Sequence, residues 1–239
     1  MKKNPYVQCT IAGLLICLSI SSCKKQSLPR QSELNTGINT INTVTSPSPG
    51  DKMTIKNNGQ AIPAGWIITD KTALSDYYTI TYIEGYPTGT EVSILANGQK
   101  IPTGWVAIYS TNQGAYHVIK KIDGYAAGTE ISILSNGQKN PVGWVAIYST
   151  NQGAYNVIKR IDGLPTGTEL STLSNGQTIP SGWVILYTTN QGAFSQIKRI
   201  EGYPSGTEVS ILSNGQTVPA GWIVLYTTNQ GAYKVIKKV

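Results

Sequence analysis

The chain has 239 residues, a formal charge of +7, and 40% hydrophobic but only 8% aromatic residues. The charge is unevenly placed: residues 1–50 carry five basic side chains and one acidic, whereas residues 51–239 carry 14 basic and 11 acidic, a net of +3. More than half of the excess therefore lies ahead of the folded part, and a nucleic-acid-binding surface is not indicated.

Lys2 and Lys3 precede an apolar run from Ile11 to Ile20. A run of about ten residues suits the hydrophobic region of an export signal, and a bilayer-spanning helix needs about twenty. It ends in Ile20-Ser21-Ser22-Cys23, which resembles the lipobox of bacterial lipoproteins: an aliphatic residue three before the cysteine, then two small residues. The resemblance implies a precursor cleaved before Cys23, with residues 1–22 removed and Cys23 acylated on sulfur and on its freed amine. Each buried methylene contributes about 0.8 kcal/mol, and stable anchoring takes at least two acyl chains. A membrane partner through the N-terminal lipid is the expectation, with the protein on the outer membrane and facing either the periplasm or the cell surface. Cys9 and Cys17 fall within the signal, so the mature domain has no cysteine available for a disulfide.

Residues 23–50 comprise the lipidated terminus and a stretch rich in Ser, Thr, Asn, Gln and Pro that ends in Ser46-Pro47-Ser48-Pro49-Gly50. That composition reads as a flexible tether with an r.m.s. reach of about 30 Å.

Beyond it, Trp66, Trp105, Trp144, Trp183 and Trp222 recur every 39 residues with their neighbours in register, a period that signals a repeat architecture. The units are 51–84, which is divergent, then 85–123, 124–162, 163–201 and 202–239. Each contains Asn-Gly between apolar-alternating runs, as at Asn97-Gly98, and that dipeptide favours a type I′ hairpin turn. Two further β-branched runs follow, one after the tryptophan and one before an acid-glycine pair such as Asp162-Gly163. The expected fold is all-β: five tandem antiparallel β-meander repeats, each too small to stand alone. An open array and a five-bladed propeller both fit. The first unit has Lys52 where the next has Glu91, Asp70 where it has Tyr109, and Ala73-Leu74-Ser75-Asp76 where it has Asn112-Gln113-Gly114-Ala115; such a divergent end favours the open array.

The supply of catalytic groups is thin. His117 occupies a strand position filled elsewhere by Tyr78, Asn156, Ser195 and Lys234, which reads as a variable surface position. One histidine and no free mature cysteine leave zinc sites and Ser-His-Asp or Cys-His systems unsupported. Acids recur at Glu91, Glu130, Glu169 and Glu208 and at Glu84, Asp123, Asp162 and Glu201. Paired acids about 5–10 Å apart hydrolyse glycosides, but one copy per unit argues against a single asymmetric active site. The expectation is a non-enzymatic protein without cofactor or metal.

Two patterns carry binding hypotheses. Trp105/Tyr109, Trp144/Tyr148, Trp183/Tyr187 and Trp222/Tyr226 are four apart on strands and so are expected to share a face, either as core or as sugar-stacking platforms. Basic pairs at Lys120-Lys121, Lys159-Arg160, Lys198-Arg199 and Lys237-Lys238 form either a cation ladder for acidic glycans or charged protection of sheet edges. The segments around Ile101-Pro102-Thr103-Gly104-Trp105-Val106 and Ile179-Pro180-Ser181-Gly182-Trp183-Val184 look like short repeats in secreted and lipid-anchored proteins of Bacteroidota. The resulting expectation is a lipid-anchored envelope protein acting as a spacer or protein-interaction module, with multivalent glycan binding as the alternative.

Overall fold

A computed structural model describes residues 46–72, 76–213 and 215–239. The signal segment, Cys23 and most of the tether lie outside the described residues, as do Ala73, Leu74 and Ser75 of the divergent loop. Pro49 and Gly50, at the end of the stretch read as tether, already form a turn of the first unit: the Gly50 amide donates to the Tyr82 carbonyl at 2.9 Å, as the Gly89 amide does to Lys121 in the next unit.

The described residues form fifteen strands in five antiparallel three-stranded sheets. Unit one holds β1 (Lys52–Lys56), β2 (Trp66–Lys71) and β3 (Tyr77–Tyr82). Unit two holds β4 (Glu91–Leu95), β5 (Trp105–Thr111) and β6 (Tyr116–Lys121), and unit three β7 (Glu130–Leu134), β8 (Trp144–Thr150) and β9 (Tyr155–Arg160). Unit four holds β10 (Glu169–Leu173), β11 (Trp183–Thr189) and β12 (Phe194–Arg199), and unit five β13 (Glu208–Leu212), β14 (Trp222–Thr228) and β15 (Tyr233–Lys238). The array is open. The second strand of each unit lies alongside the first strand of the next, and among the described residues no strand of unit five meets unit one.

Strand order within a unit corrects the expected hairpin. The third strand is central, with the first and second on either side of it, so the Asn-Gly segment joins two strands that do not pair. The hairpin instead joins the second and third strands through Asn112-Gln113-Gly114-Ala115 and its copies. There Asn112, Gln113 and Gly114 all take positive φ (48°, 54° and 91°) and the Ala115 amide donates to the Asn112 carbonyl at 3.0 Å. In Asn97-Gly98 only the glycine has positive φ, which is incompatible with a type I′ turn. The central position suits the third strand's sequence, because Val118 and Ile119 are adjacent, face opposite sides and are both buried.

Asn-Gly serves a different purpose. Asn97 Oδ1 accepts the Gln99 amide at 3.2 Å, a local turn that presents the Gln99 side chain to the preceding unit. Gln99 Nε2 donates to the Ile68 carbonyl at 2.8 Å and to its own unit's Leu95 carbonyl at 2.7 Å, while its Oε1 accepts the Ile68 amide at 3.0 Å. Gln138 does the same to Ala107 and Leu134, Gln177 to Ala146 and Leu173, and Gln216 to Ile185 and Leu212. Each glutamine amide thus pairs with one residue's N–H and C=O on the edge of the second strand, as a neighbouring strand would.

Apolar side chains complete each junction. Trp105 clusters with Ile67 and Ile83 of unit one, Trp144 with Val106 and Ile122 of unit two, Trp183 with Val145 and Ile161 of unit three, and Trp222 with Val184 and Ile200 of unit four. Burying side chains of this size contributes about 1.5–3 kcal/mol each, which a lone 39-residue unit cannot realise.

Gln138→Ala removes the partners of Ala107's backbone groups and should cost about 1–3 kcal/mol, read as a lowered urea midpoint. Gln60→Ala, at the equivalent exposed position of unit one, should leave the midpoint of the dilute chain unchanged.

Candidate functional site

The four tryptophans of units two to five are 5–8% exposed and belong to the inter-unit cores. Tyr109, Tyr148, Tyr187 and Tyr226 are 41–54% exposed. The expected shared face does not form, and the cause is a β-bulge in each second strand. Trp105 lies opposite Lys121 and Ala107 opposite Ile119, but Tyr109 lies opposite Val118 because the register shifts between Ala107 and Tyr109. The extra residue, Ile108, reverses the alternation, so the tyrosine points to the face opposite the tryptophan. Trp144/Tyr148, Trp183/Tyr187 and Trp222/Tyr226 are separated by the same shift. What remains on the surface is a series of tyrosines without the indole faces.

The basic pairs divide as alternation requires. The first member of each reaches a glutamate on the neighbouring first strand: Lys120–Glu91 at 2.9 Å, Lys159–Glu130 at 2.9 Å, Lys198–Glu169 at 3.0 Å and, more loosely, Lys237–Glu208 at 4.0 Å. The hydrogen bond that Lys120 donates to Glu91 holds the ammonium above the ordinary lysine value despite an opposing burial penalty, and the bond to Glu169 does the same for Lys198. Of the second members, the two arginines serve the loops: Arg160 donates to the Tyr125 carbonyl, and Arg199 to the Leu164 carbonyl and to Glu201 at 2.8 Å. The first members of the ladder are thus each paired with a glutamate of their own unit.

The other recurrent acids have a separate place. Gly104 has φ +82°, and a Cβ there would lie 2.1 Å from a carboxylate oxygen of Asp123; Gly143 and Asp162 repeat the arrangement. Glycine before the tryptophan therefore makes room for the acid that closes the unit. At the first junction Asp70 replaces the usual tyrosine and accepts the Tyr116 hydroxyl at 2.8 Å. The Lys71 amide, and after it Tyr116, hold the Asp70 carboxyl below its ordinary range. His117 Nδ1 lies 2.9 Å from Ser110 Oγ, a cross-strand surface pair. Among the described residues no three His, Cys, Asp or Glu side chains are placed to hold a metal ion.

One junction departs from the others. Ile101, Ile179 and Val218 pack against the cores of units two, four and five, but the same position of unit three holds Asn140. Asn140 Nδ2 donates to Gln177 Oε1 at 2.9 Å, and a cleft of ≈ 590 Å³ opens beside Trp144, bordered by Asn140, Asn156, Asn175, Gln177 and the 97%-exposed Val142. A concave site with several amides next to one indole edge suits a hydroxyl-rich small ligand. Asn140 was not singled out from the sequence; comparing its column with Ile101 and Ile179 is the signal that finds it. A second, shallower groove at the junction of units two and three is bordered by Tyr109, Lys120, Tyr125 and Glu130.

Comparison with family models, curated proteins and solved structures gives no match to this chain.

Asn140→Ile should restore the packing of the neighbouring units and raise stability by about 1 kcal/mol, measured by urea unfolding. Because the Lys198 pKa is raised on folding, its contribution is fully present below the unfolded lysine value and is lost as pH rises through the folded one. Glu169→Gln should return Lys198 toward the ordinary value in an NMR titration and remove that part of the alkaline dependence.

Proposed function

We propose that this protein is a lipid-anchored component of a bacterial cell envelope, held by Cys23, whose β-array acts as a non-enzymatic spacer and protein-interaction module. The observation that carries the reading is the repetition of one junction four times, each with a glutamine fork and a buried tryptophan. The side chains that best support ligand stacking are used to join units, and the lysines that best support anion binding are compensated by glutamates. Such an array extends reach unit by unit, and the tether from Cys23 would carry it clear of a membrane surface.

Glycan binding is the second reading, supported by the amide-lined cleft beside Asn140 and Trp144. That support is for one site and not for a multivalent ladder. A glycan array probed with the wild type and with Asn140→Ile separates the two readings: binding lost with the substitution favours the glycan reading.

Cys23→Ser should abolish metabolic palmitate labelling and move the protein from the membrane fraction to the soluble fraction, while the β-rich circular dichroism spectrum stays unchanged. A wild type that takes up no palmitate label would sink the anchoring proposal.

A further inference from the structure

Every junction has a trailing face on one unit and a leading face on the next, and among the described residues no unit covers the trailing face of unit five or the leading face of unit one. At the trailing end the apolar positions remain in place. Ile223 is 47% exposed, whereas its equivalents Ile67, Val106, Val145 and Val184 are 0–2% exposed; Val239 is 61% exposed against 0–3% for Ile83, Ile122, Ile161 and Ile200. Val224 and Leu225 are exposed beside them. Val224 is the residue whose backbone groups a following glutamine would grip, and among the described residues none reaches it.

At the leading end the complementary parts are kept. Gln60 keeps the local turn seen at Gln99, its amide donating to Asn58 Oδ1 at 3.2 Å, and its side chain is exposed, with no hydrogen-bond partner among the described residues. Trp66 is only half-buried, Ile55 occupies the position of the buried Ile94, and Met53 and Tyr77 are 42% and 44% exposed. Apart from the four repeated tyrosines and Val142, the exposed large apolar side chains of the described residues lie on these two ends.

We infer that the leading face of unit one docks on the trailing face of unit five of a second copy, so that chains join head to tail through a fifth junction of the same kind. Gln60 of one copy takes the backbone N–H and C=O of Val224 in the other, and Trp66 covers Ile223 and Val239. The contact is heterologous, each copy keeps one free face of each kind, and association is therefore open-ended. It is weaker than an internal junction, because Lys56 stands where Leu134 and Leu173 pack and because no peptide bond links the two units. The inference deepens the interaction-module reading by naming the partner, and it is independent of the lipid anchor.

Sedimentation velocity of the purified full chain over a concentration series tests it. The wild type should form dimers and longer species as concentration rises. A tail variant (Ile223→Asp with Leu225→Asp) and a head variant (Met53→Asp with Gln60→Ala) should each remain monomeric, with association weakened at least about tenfold. Mixed at equal concentrations they should form a dimer and stop there, because one intact head meets one intact tail; that dimer also shows both variants to be folded. A wild type that stays monomeric up to its solubility limit overturns the inference, as does a mixture that stays monomeric. Association of the head variant alone at wild-type strength also overturns it, since the contact would then be tail to tail. None of these outcomes depends on palmitate labelling of Cys23, so failure here is distinct from failure of the anchoring proposal.

Discussion

The pairing of a glutamine side-chain amide with the backbone of one residue in the preceding sheet is the constraint on which the rest of the array depends. A bulge interrupts each second strand, and the N–H and C=O beside it need partners in a region that packing partly closes to water. A primary amide presents one donor and one acceptor in the plane a backbone neighbour would use, so a single side chain satisfies both groups. Its remaining N–H returns to a carbonyl of its own unit, as Gln138 does to Leu134, and this fixes the glutamine's direction. The fork aligns one unit on the next and seats the tryptophan beside the preceding unit's branched aliphatics.

The same bulge governs what the surface offers. By inserting Ile108 it turns Tyr109 away from Trp105, leaving phenol rings in the open and indoles inside. Together with the glutamate partners of the first lysines, it leaves a surface whose features are mostly answered within their own unit. The exceptions are local: Asn140 in the middle of the array and the uncovered faces at its two ends.

Much of this was legible in the sequence. The 39-residue spacing of the tryptophans, the β-branched runs and the turn dipeptides are local signals, and the five antiparallel all-β units follow from them, whereas only the divergent first unit favours an open array over a five-bladed propeller. The pairing of strands was harder to read, because two turn candidates compete in every unit. Asn-Gly has the stronger general preference for a tight hairpin, yet Asn-Gln-Gly-Ala closes it, and only the match between the second and third strands decides between them. Strand parity failed at Tyr109 because a bulge adds a residue without an obvious marker in composition. The role of Gln99 and its copies was hidden because its partners are backbone atoms 31 residues away, which carry no side-chain signature. Spacing alone does not separate a tryptophan stripe that binds from one that packs; its burial does.

Because each unit touches only its neighbours, the number of units is not determined by the packing of any one of them. A closed barrel or propeller must satisfy a closure angle, and gaining or losing a blade strains every other blade. Here an in-frame duplication or loss of 39 codons would insert or remove one glutamine fork and one tryptophan seat and leave the remaining joints as they were. Length is therefore a trait on which recombination between near-identical repeats can act directly, with foldability conserved at each step.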